Sequence, residues 1–541
     1  MRYLLFALIL FLSPTLFAQE IADSVFWVYL TDKDENGYQI DQPDAFLSRR
    51  SIDRRAWQGL GIDRRDLPVN GNYVQEIRDM GVQVKHISRW LNGIAMINAT
   101  EALYRQVLEK SFTDTLPWFP ETDELFFPPR PGGSRFAPPL ETAPEFEYGV
   151  AMEQVTMLKM DHVHQLGYTG KGVWIAVLDA GFKNVDSLPS FELMIEEGRL
   201  LGTRNFVNDE PIFRQSNAHG MNVLSTMGGE WNGYMVGTAP HASYLLCMTE
   251  NVEQETRIEE IAWIEAAEFA DSLGFDISNT SLGYSDMDGD KYDYSYSDMD
   301  GKTTFISRAA SLAASRGMIA VNSAGNEGSH PWYYITAPAD ARDIFTVGAV
   351  DSTNEIAAFS SRGPTYDARI KPDVTAMGVA SGVQYQEGGL ARGSGTSFSS
   401  PILAGSVASL WQAYPELTAR EMIHLVRQGG DRVKNPDSTY GFGLPNFFKT
   451  YWSITGVPSR SVQGKLEIYP NPARDMIMIK VPGASSGMQT IRIYDISGRM
   501  LHALQAQIPG QVALPGDLSG GIYILVIHTI SGVYHSNLIV E

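Results

Sequence analysis

The stretch VWIAVLD, residues 173–179, decides the fold of this chain. Its apolar run continues from Val173 to Leu178 without alternation, which is typical of a parallel strand buried on both faces. The run stops at Asp179, and open α/β proteins form their sites at the carboxyl ends of such strands. We therefore predict a central parallel strand with Asp179 at a functional edge of the sheet.

The sequence after this strand alternates between helical and extended patterns. TRIEEIAWIEAAEFADSLG carries apolar residues at helical spacing, with Thr256 and Glu259 as a capping box and Gly274 as a stop. DISNTSLG at 276–283 and GMIAVNSAGN at 317–326 are predicted strands. The alternation predicts an α/β domain with a mainly parallel sheet flanked by helices.

The chain begins with a segment that is typical of export. MRYLLFALILFLSPTLFAQE has a basic Arg2, a short apolar run and a small Ala18, so residues 1–18 are predicted to be a secretory signal peptide. A transmembrane anchor is the alternative, which the shortness of the apolar run disfavours. Cys247 is the only cysteine, so no intrachain disulfide forms, and its apolar neighbours favour a buried strand residue over a nucleophile.

Composition divides the remaining chain into four regions. Residues 19–115 are predicted to form a small α+β unit. Residues 116–147 are rich in proline and glycine and are predicted to be an exposed linker. The α/β domain is predicted over 148–455, and short strands between Gly, Pro and Ser turns predict an all-β sandwich over 463–541. The formal net charge of −21 over 541 residues argues against a nucleic-acid partner.

Three polar residues interrupt the α/β pattern where apolar residues are expected. Asp179 ends a strand, His219 precedes a predicted helix, and Ser397 begins a long apolar helix after a Gly-Ser-Gly-Thr approach. Singly, each residue also fits a structural role, such as a helix cap. A serine hydroxyl becomes a good nucleophile when a histidine takes its proton and a carboxylate holds that imidazole. The chain order Asp, His, Ser is one in which such triads occur.

Six different short motifs occur around these residues and further along the α/β region. In chain order they are VLDAGF, HGMNV, VNSAGNEG, FSSRGP, KPDVTAMG and GTSFSSP. As a set they resemble the subtilisin-like serine proteases (subtilases), and the resemblance covers roughly 148–451. It implies a secreted serine endopeptidase that hydrolyses peptide bonds of proteins through an acyl-enzyme.

The resemblance assigns a role to each polar residue. It implies that Asp179 orients the imidazole, His219 acts as general base and then acid, and Ser397 is the nucleophile. Asn326 would be the side-chain donor of the oxyanion hole, beside the backbone N–H of Ser397. In its Gly-flanked turn, Asn326 also fits a structural role. This chemistry requires no cofactor and no metal ligand.

Two segments are implied to contact the substrate. TSLG resembles the edge segment that pairs with the substrate backbone, with Gly283 leaving room for the substrate chain. SAG would line the pocket for the residue before the scissile bond. The substrate-binding residues implied in this way are Ser281, Leu282, Gly283, Ser323, Ala324 and Gly325.

The sequence departs from the usual family pattern beside the reacting residues. Ala180 and Met221 stand where the family commonly has hydroxyl residues, and Phe398-Ser399 replaces the commoner Met-Ala. These changes question the detailed packing and leave every reacting atom in place. The alternative function is a non-catalytic surface-binding protein on a subtilase scaffold.

The first region resembles the prosegments of secreted subtilases from Bacteroidetes-type bacteria, through DAFLSRRSIDRRAWQGLGIDRRDLPV and SRWLNGIAM. The implied roles are intramolecular chaperone and inhibitor of the cleft, with release by cleavage in the linker. A permanent N-terminal domain is the alternative. The arginine pairs fit either processing sites or a solvated face, and we favour the face for Arg49-Arg50, Arg54-Arg55 and Arg64-Arg65.

The last region resembles the type A sorting domain of type IX secretion. The matching motifs are IYPNPARDMIMIKV, IRIYDISGRML, LSGGIYILVI and HSNLIVE. They imply passage through the periplasm and export across the outer membrane by the type IX secretion machinery, to the cell surface or medium. A carbohydrate- or surface-binding sandwich is the alternative.

An acidic repeat, YSDMDG at 284–289 and again at 296–301, follows the predicted substrate edge. Its spacing breaks the twelve-residue EF-hand pattern. Two interpretations therefore remain, a looser calcium site and a solvated acidic lip. The calcium candidates are Asp286, Asp288, Asp298 and Asp300. We favour the lip, packed on Tyr284, Tyr292, Tyr294 and Tyr296, and predict that it selects Lys or Arg on the acyl side of the cut.

Overall fold

The computed structural model describes residues 25–118, 125–208, 210–288, 293–453, 466–481, 487–495, 500–529 and 532–541. The predicted signal peptide lies outside these ranges. Within them, no helix combines the length and the apolar character that a membrane span requires.

The chain forms three successive groups of elements. The described helices are α1 Arg49–Gln58, α2 Gly71–Asp79, α3 Glu101–Leu108, α4 Met152–Met157, α5 Met160–Gln165, α6 Glu192–Glu196, α7 His219–Gly228, α8 Arg257–Leu273, α9 Phe305–Ser315, α10 Thr396–Ala413, α11 Ala419–Gln428 and α12 Phe447–Ser453. The described strands are β1 Phe26–Leu30, β2 Gln83–Ser88, β3 Gly93–Ile97, β4 Thr113–Asp114, β5 Trp174–Asp179, β6 Leu200–Asn205, β7 Glu230–Trp231, β8 Met235–Val236, β9 Ser243–Met248, β10 Ile277–Thr280, β11 Ile319–Ser323, β12 Phe345–Val350, β13 Val374–Met377, β14 Ser381–Gln384, β15 Leu390–Gly393, β16 Glu467–Tyr469, β17 Met476–Lys480, β18 Gly487–Asp495, β19 Met500–Ile508, β20 Gly510–Ala513, β21 Gly521–Thr529 and β22 Gly532–Val540.

The middle group is built on a seven-stranded sheet in the order β13-β12-β11-β10-β5-β9-β6, with every neighbouring pair parallel. Strand β5 is internal, and its side chains alternate between two cores. Ile175 and Val177 pack in the core that includes α7 and α10, while Ala176 and Leu178 pack in the core of α8 and α9. Burial on both faces explains the unbroken apolar run, and the predicted strand is confirmed.

Helix α8 has the predicted ends. Thr256 and Glu259 form a reciprocal capping box, and Gly274 closes the helix in the left-handed conformation at φ 93°. A Cβ on Gly274 would also lie only 2.6 Å from the backbone nitrogen of Ser51, so the N-terminal region approaches closely here. Cys247 is buried in β9, as predicted.

The N-terminal region is a four-stranded antiparallel sheet, β2-β3-β1-β4, joined to the helices α1 to α3. One part of it forms its own small core around Val28, Ile77 and Ile94. Another part, including Tyr29 and Trp90, belongs to the same buried cluster as α8 and α9. The region is therefore docked on the face of the α/β domain that is formed by α8 and α9.

Arginines of the N-terminal region make this contact through buried ion pairs. The carboxylate of Asp271 on α8 binds Arg54, Arg55 at 3.0 Å and Arg89 at 2.6 Å. The side chains of Arg54 and Arg55 are 1% and 0% exposed, so the predicted solvated face is wrong for this pair. Their partner Asp271 lies more than 200 residues downstream, which local sequence pattern does not reveal.

The proline-rich region following the N-terminal domain is also packed. Arg135 donates to the buried Asp276 at 2.7 Å, and the Phe136 ring lies 5.7 Å from the Trp411 ring on α10. Phe136 is 5% exposed. The prediction of an exposed linker is therefore wrong for this part, because its few apolar and charged residues find partners that composition does not indicate.

The C-terminal group is an all-β sandwich, as predicted. A three-stranded sheet, β16-β17-β20, faces a four-stranded sheet, β19-β18-β21-β22. Ile479 and Val512 from the first sheet and Ile493 and Leu525 from the second share one core. On its outside, Tyr494 packs against Phe448 of α12 with ring centroids 5.4 Å apart.

Candidate active site

Asp179 lies where β5 ends, fully buried at the carboxyl edge of the sheet. Its Oδ1 accepts hydrogen bonds from the Ala180 backbone N–H at 2.8 Å and from Nδ1 of His219 at 2.6 Å. Its Oδ2 has no hydrogen-bond partner in the described part of the chain. The carboxylate is thus directed at one imidazole.

His219 begins α7, where the Asn217 side chain accepts its backbone N–H at 2.7 Å. The next residue, Gly220, is required by close approach, since a Cβ there would lie 2.7 Å from the Gly181 carbonyl oxygen. Burial lowers the pKa of His219, but the charge and hydrogen bond of Asp179 outweigh it and raise that pKa above its ordinary value. The imidazole is therefore held in a fixed orientation and made more basic.

Ser397 lies in the first turn of α10 and is 8% exposed. Its hydroxyl donates to the carbonyl of Ser281 at 3.3 Å, and the Ser281 hydroxyl donates to the Ser397 carbonyl at 2.9 Å. The Phe398 ring lies 6.2 Å from the His219 ring, which places the imidazole beside the start of α10. The described hydrogen bonds do not include one between Ser397 and His219, and such bonds are often long without substrate.

Asn326 follows β11 in a turn at the same edge. Its Oδ1 accepts the backbone N–H of Thr396 at 2.9 Å and the Thr396 hydroxyl at 3.0 Å. Because these donors fix the amide orientation, the Nδ2 donor points away from Thr396. Asn326 itself is exposed.

Gly395 has a role that the sequence interpretation missed. A Cβ on this residue would lie 3.7 Å from Nδ2 of Asn326 and 3.7 Å from the backbone nitrogen of Ser397. The absent side chain therefore leaves an open space that borders two N–H donors. The glycine before Thr-Ser in GTSFSSP was the available signal.

The predicted substrate-contact residues follow two neighbouring strands. Residues 281–283 follow β10, Ser323 ends β11 and 324–325 follow it, and these strands pair in parallel with Thr280 opposite Asn322. Gly283 is exposed, but a Cβ there would lie 2.1 Å from Oγ1 of Thr336. The smallness of Gly283 is therefore required by the protein's own packing, and its contact with the substrate chain stays a prediction.

A family model described as the subtilase family matches residues 170–443, half of the chain, and this range contains the whole constellation. The chain belongs to the subtilase family. A model described as the peptidase S8 propeptide domain of Bacteroidota matches residues 25–124 of this subtilase. A model described as a secretion system C-terminal sorting domain matches residues 467–541.

Curated relatives of this subtilase are serine proteases. Serine protease AprX of Bacillus subtilis strain 168 is 32% identical over 311 residues, which are 51% of this chain and 66% of AprX, slightly under two thirds of that relative. Subtilisin BL of Lederbergia lenta is 27% identical over 293 residues, 54% of this chain and 95% of the relative. A crystal structure of a cold adapted subtilisin-like serine proteinase matches with a TM-score of 0.41 and 23% identity, covering 52% of this chain and 90% of that one.

These findings confirm the predicted class and destination. The protein is a secreted serine-type endopeptidase with a prosegment, and the surface-binding alternative is not favoured. Its C-terminal sorting domain directs export across the outer membrane to the cell surface or the medium.

The acidic repeat of this subtilase is anchored by its tyrosines. Tyr284 is fully buried and donates to Glu250 at 3.1 Å, Tyr294 donates to Glu260 at 2.8 Å, and the Tyr296 ring stacks on Tyr334 with centroids 3.9 Å apart. Tyr292 lies outside the described residues. The aromatic packing predicted beneath the loop is thus present for three of the four tyrosines.

The candidate calcium ligands are engaged in local hydrogen bonds. Asp288 accepts the Glu255 N–H at 2.9 Å, Asp298 accepts the Ser295 N–H at 2.7 Å, and Asp300 accepts the Lys302 and Thr303 N–H groups at 2.9 and 2.8 Å. Outside 289–292 and the other undescribed segments, no group of three acidic, histidine or cysteine side chains forms a metal cage. Calcium binding, with Asp286 as the fourth candidate ligand, stays a prediction.

Carboxylates crowd the same edge of the sheet. Burial and then the charges of Glu259, Glu255 and Asp179 raise the pKa of Glu250 well above its ordinary value. Burial, followed by the charges of Asp288 and Asp286, raises the pKa of Glu255 to about 7. A cation brought to this edge would relieve the repulsion between these groups.

Proposed function

We propose that Asp179, His219 and Ser397 are the catalytic triad of this endopeptidase. The observation that carries the proposal is the 2.6 Å bond from Nδ1 of His219 to Oδ1 of Asp179, beside the first turn of α10. An Nδ1–H directed at Asp179 leaves Nε2 unprotonated, and only that tautomer can accept the serine proton. The raised pKa of His219 also increases its strength as a base.

The reaction follows from this arrangement. The Ser397 hydroxyl exchanges the Ser281 carbonyl for Nε2 of His219, transfers its proton and attacks the substrate carbonyl carbon. The imidazolium, stabilised by Asp179, protonates the leaving amine as the C–N bond breaks. Water then attacks the acyl-enzyme in the same way, with His219 taking its proton, and the carboxylate product is released from Ser397. Nucleophile, base and proton donor all belong to the chain, so this chemistry needs no cofactor.

The oxyanion is proposed to form in the space at Gly395. Asn326 Nδ2 and the Ser397 N–H border that space, and Thr396 holds the Asn326 amide with its donor side free. Donors fixed before the reaction stabilise charge that develops only in the transition state. Asn326 is therefore assigned as the side-chain donor of the oxyanion hole.

Substrate is proposed to extend along the carboxyl edge between two segments. Ser281, Leu282 and Gly283 would pair with its backbone, in the manner of an added strand. Ser323, Ala324 and Gly325 would line the pocket for the residue before the cut. The parallel pairing of β10 with β11 supports this assignment, because it brings both segments side by side.

The substrate class is proposed to include peptides with Lys or Arg on the acyl side of the cut. Asp286 and Asp288 are exposed at this edge, and burial followed by the charges of neighbouring carboxylates raises the pKa values of Glu250 and Glu255. A cation bound here would favour the ionised form of both glutamates. Electrostatic attraction of this kind weakens as salt rises.

The prosegment is proposed to act as an intramolecular chaperone. Its arginines neutralise the buried Asp271 on α8, which would otherwise oppose docking of that helix during folding. Among the described residues 25–118, no hydrogen bond or ion pair reaches Asp179, His219 or Ser397, so inhibition of the cleft stays a prediction.

Labelling with a fluorophosphonate probe tests the triad. We expect the wild-type protein to label at Ser397 and to cleave unfolded protein, and the Ser397→Ala variant to lose about a million-fold in turnover. A folded wild-type protein that neither labels nor cleaves would instead support a non-catalytic binding protein. Ser399→Ala, two residues along the same buried helix turn, is the matched control and should still label.

A further inference from the structure

A cleft at the amino edge of the seven-stranded sheet is lined mainly by cationic side chains. It has a volume of about 410 Å³ and lies between α11 and the turns that lead into β12 and β13. Asp179, Ser281 and Asn326 lie at the carboxyl edge of the same sheet, so the cleft is separate from the candidate active site. The cations that line it are Arg342, Arg369, Lys371, Arg420 and Arg427.

Two of these arginines share a single carboxylate. Asp367 accepts hydrogen bonds from Arg342 and, at 2.9 Å, from Nε of Arg369. The side chain of Arg342 is 51% exposed, so its guanidinium group is accessible from solvent. One negative charge therefore faces two positive charges on this side of the cleft.

The buried side of the cleft has the same imbalance. Asp373 binds both Nζ of Lys371, at 2.7 Å, and the guanidinium group of Arg427. Nε of Arg427 has no hydrogen-bond partner in the described part of the chain. Because a buried donor without a partner is costly, the protein's own acceptors do not fully satisfy this guanidinium group.

Lys371 indicates an excess of positive charge around it. Its side chain is 4% exposed, and Nζ also donates to the Ile344 carbonyl at 3.1 Å. Burial, opposed by the charge of Asp373 and reinforced by those of Arg427 and Arg369, lowers the pKa of Lys371 to about 8. A negative charge in the cleft would favour the protonated form of this ammonium group.

Arg420 completes the cationic lining. It lies seven positions before Arg427 on α11, which is two helical turns or about 10.5 Å along the axis, so both side chains project from one face of the helix. Its ion pair with Asp343 at 3.1 Å is exposed, since the two side chains are 80% and 59% accessible. Exposed pairs are weak, so Arg420 can exchange Asp343 for a ligand.

Among the described residues, the five cations of the cleft are paired with three carboxylates. Two positive charges are left over, in a chain whose formal net charge is −21. A phosphate monoester carries about −1.5 to −2 charges at pH 7, which matches this surplus. Guanidinium groups also bind phosphate oxygens through two parallel N–H···O bonds.

We propose that this cleft binds a phosphate-type dianion, either free phosphate or the phosphate group of a larger molecule. Arg342 and Arg420, the two most exposed cations, bind the anion directly, while Lys371 and Arg427 supply charge from the buried side. The bound group connects α11 with the turns before β12 and β13. It contacts no residue of the proposed triad, so this inference does not depend on the proposed mechanism.

Calorimetric titration of the full-length Ser397→Ala chain, which cannot digest itself, with inorganic phosphate tests the site. We expect saturable binding with a Kd at or below about 1 mM. Arg342→Gln/Arg420→Gln in the same background should weaken binding by roughly tenfold or more, because charge-assisted hydrogen bonds are lost. Absence of saturable binding to the chain that keeps both arginines would overturn the proposal.

Arg105→Gln/Arg474→Gln is the matched control. These arginines pair with Glu101 and Glu541, are 75% and 77% exposed, and do not line the cleft. The control removes the same two charges from exposed positions and should leave the Kd for phosphate unchanged. An equal loss of affinity in both double variants would show that phosphate responds only to net charge, and would also overturn the site.

Asp343→Asn provides a test in the opposite direction. It removes the carboxylate that competes for Arg420 and should tighten phosphate binding several-fold. Since a ligand that binds only the folded state raises its stability, phosphate should also raise the melting temperature, relative to chloride at equal ionic strength, more in Asp343→Asn than in Arg342→Gln/Arg420→Gln. The reverse order would contradict the proposal.

Two further probes identify the source of the phosphate group. Glucose 6-phosphate represents a soluble monoester, and vesicles of phosphatidylcholine with and without phosphatidic acid represent a lipid headgroup. Tighter binding of either probe than of inorganic phosphate, lost in Arg342→Gln/Arg420→Gln, would assign the site to that class of molecule. Binding of inorganic phosphate alone would assign it to the free ion, and binding of none of the three would refute the site.

Discussion

Two aspartates at opposite ends of the α/β domain have opposite surroundings. Asp271, at the end of α8, binds three arginines, and these lower its pKa although burial alone would raise it. Asp179, at the end of β5, binds one imidazole and one backbone N–H, and its Oδ2 has no described partner. Asp271 belongs to a neutralised cluster, whereas Asp179 keeps its charge available to a single neighbour.

The difference shows what each carboxylate does. A carboxylate surrounded by cations fixes two domains against each other, and its removal leaves buried positive charges behind. A carboxylate with one basic partner changes the basicity of that partner. Substitutions at the two positions should therefore affect different measurements: stability in one case and the pH dependence of turnover in the other.

The largest effect should come from Asp179→Asn. We expect kcat to fall by about ten-thousand-fold, because the amide no longer fixes the imidazole tautomer. Loss of the carboxylate charge also lowers the pKa of His219, and the reaction needs neutral imidazole. The acidic limb of the kcat/KM profile should therefore move to lower pH, and a limb that stays in place or moves to higher pH would contradict the electrostatic role.

Asp271→Ala should lower the stability of the folded protein. In the Ser397→Ala background, which prevents self-digestion, we expect a loss of about 3–5 kcal/mol in the free energy of unfolding, since Arg54 and Arg55 lose a buried partner. Because the pKa of Asp271 is lowered, its contribution is full above about pH 4 and is lost as pH falls through the folded value. Chemical denaturation at neutral and acidic pH measures both effects.

Asp343→Asn is the control for that comparison. Its carboxylate pairs with Arg420 at 3.1 Å, but the two side chains are 59% and 80% exposed. Exposed pairs contribute about 0–1 kcal/mol. Equal losses from Asp271→Ala and Asp343→Asn would show that the buried cluster has no special importance.

Asn326→Ala should lower kcat by about a hundred- to a thousand-fold with little change in KM, because the oxyanion donor acts in the transition state. Thr396→Val gives the matched contrast. It removes one bond to Oδ1 of Asn326 but leaves the backbone bond of 2.9 Å and the Nδ2 donor in place. A loss from Thr396→Val as large as that from Asn326→Ala would contradict a donor role for Asn326.

The smallest effect should come from the acidic loop. Asp286→Asn/Asp288→Asn should reduce the preference for Lys or Arg substrates over neutral ones several-fold, and the wild-type preference should fall with salt. Asp343→Asn, at the opposite edge of the sheet, should leave the preference unchanged. Calcium chelation should not alter the wild-type melting temperature, and a fall that these two substitutions abolish would favour the calcium site over the acidic lip.

The sequence was most informative where function and fold depend on local pattern. The apolar run ending at Asp179, the capping box at Thr256 and the helices that begin beside His219 and Ser397 all appear in the structure as predicted. Each depends on a few neighbouring residues. The roles of the site residues rest on the family resemblance and the geometry together.

The errors have a common physical cause. Arg54 and Arg55 have the local pattern of a solvated helix face, and the linker around Phe136 has the composition of an exposed chain, yet both are buried by distant partners. Contacts between residues far apart in the sequence leave no periodicity, so composition and pattern do not predict them.

Gly395 keeps the proposed oxyanion space open because glycine has no Cβ. A methyl group on this residue would lie 3.7 Å from both N–H donors, and the backbone at φ +153° is one that residues with a side chain rarely adopt. We therefore expect Gly395→Ala to lose turnover although Asp179, His219 and Ser397 are all retained. An inactive variant of this kind could be used to isolate the natural substrates of the enzyme from the medium into which it is exported.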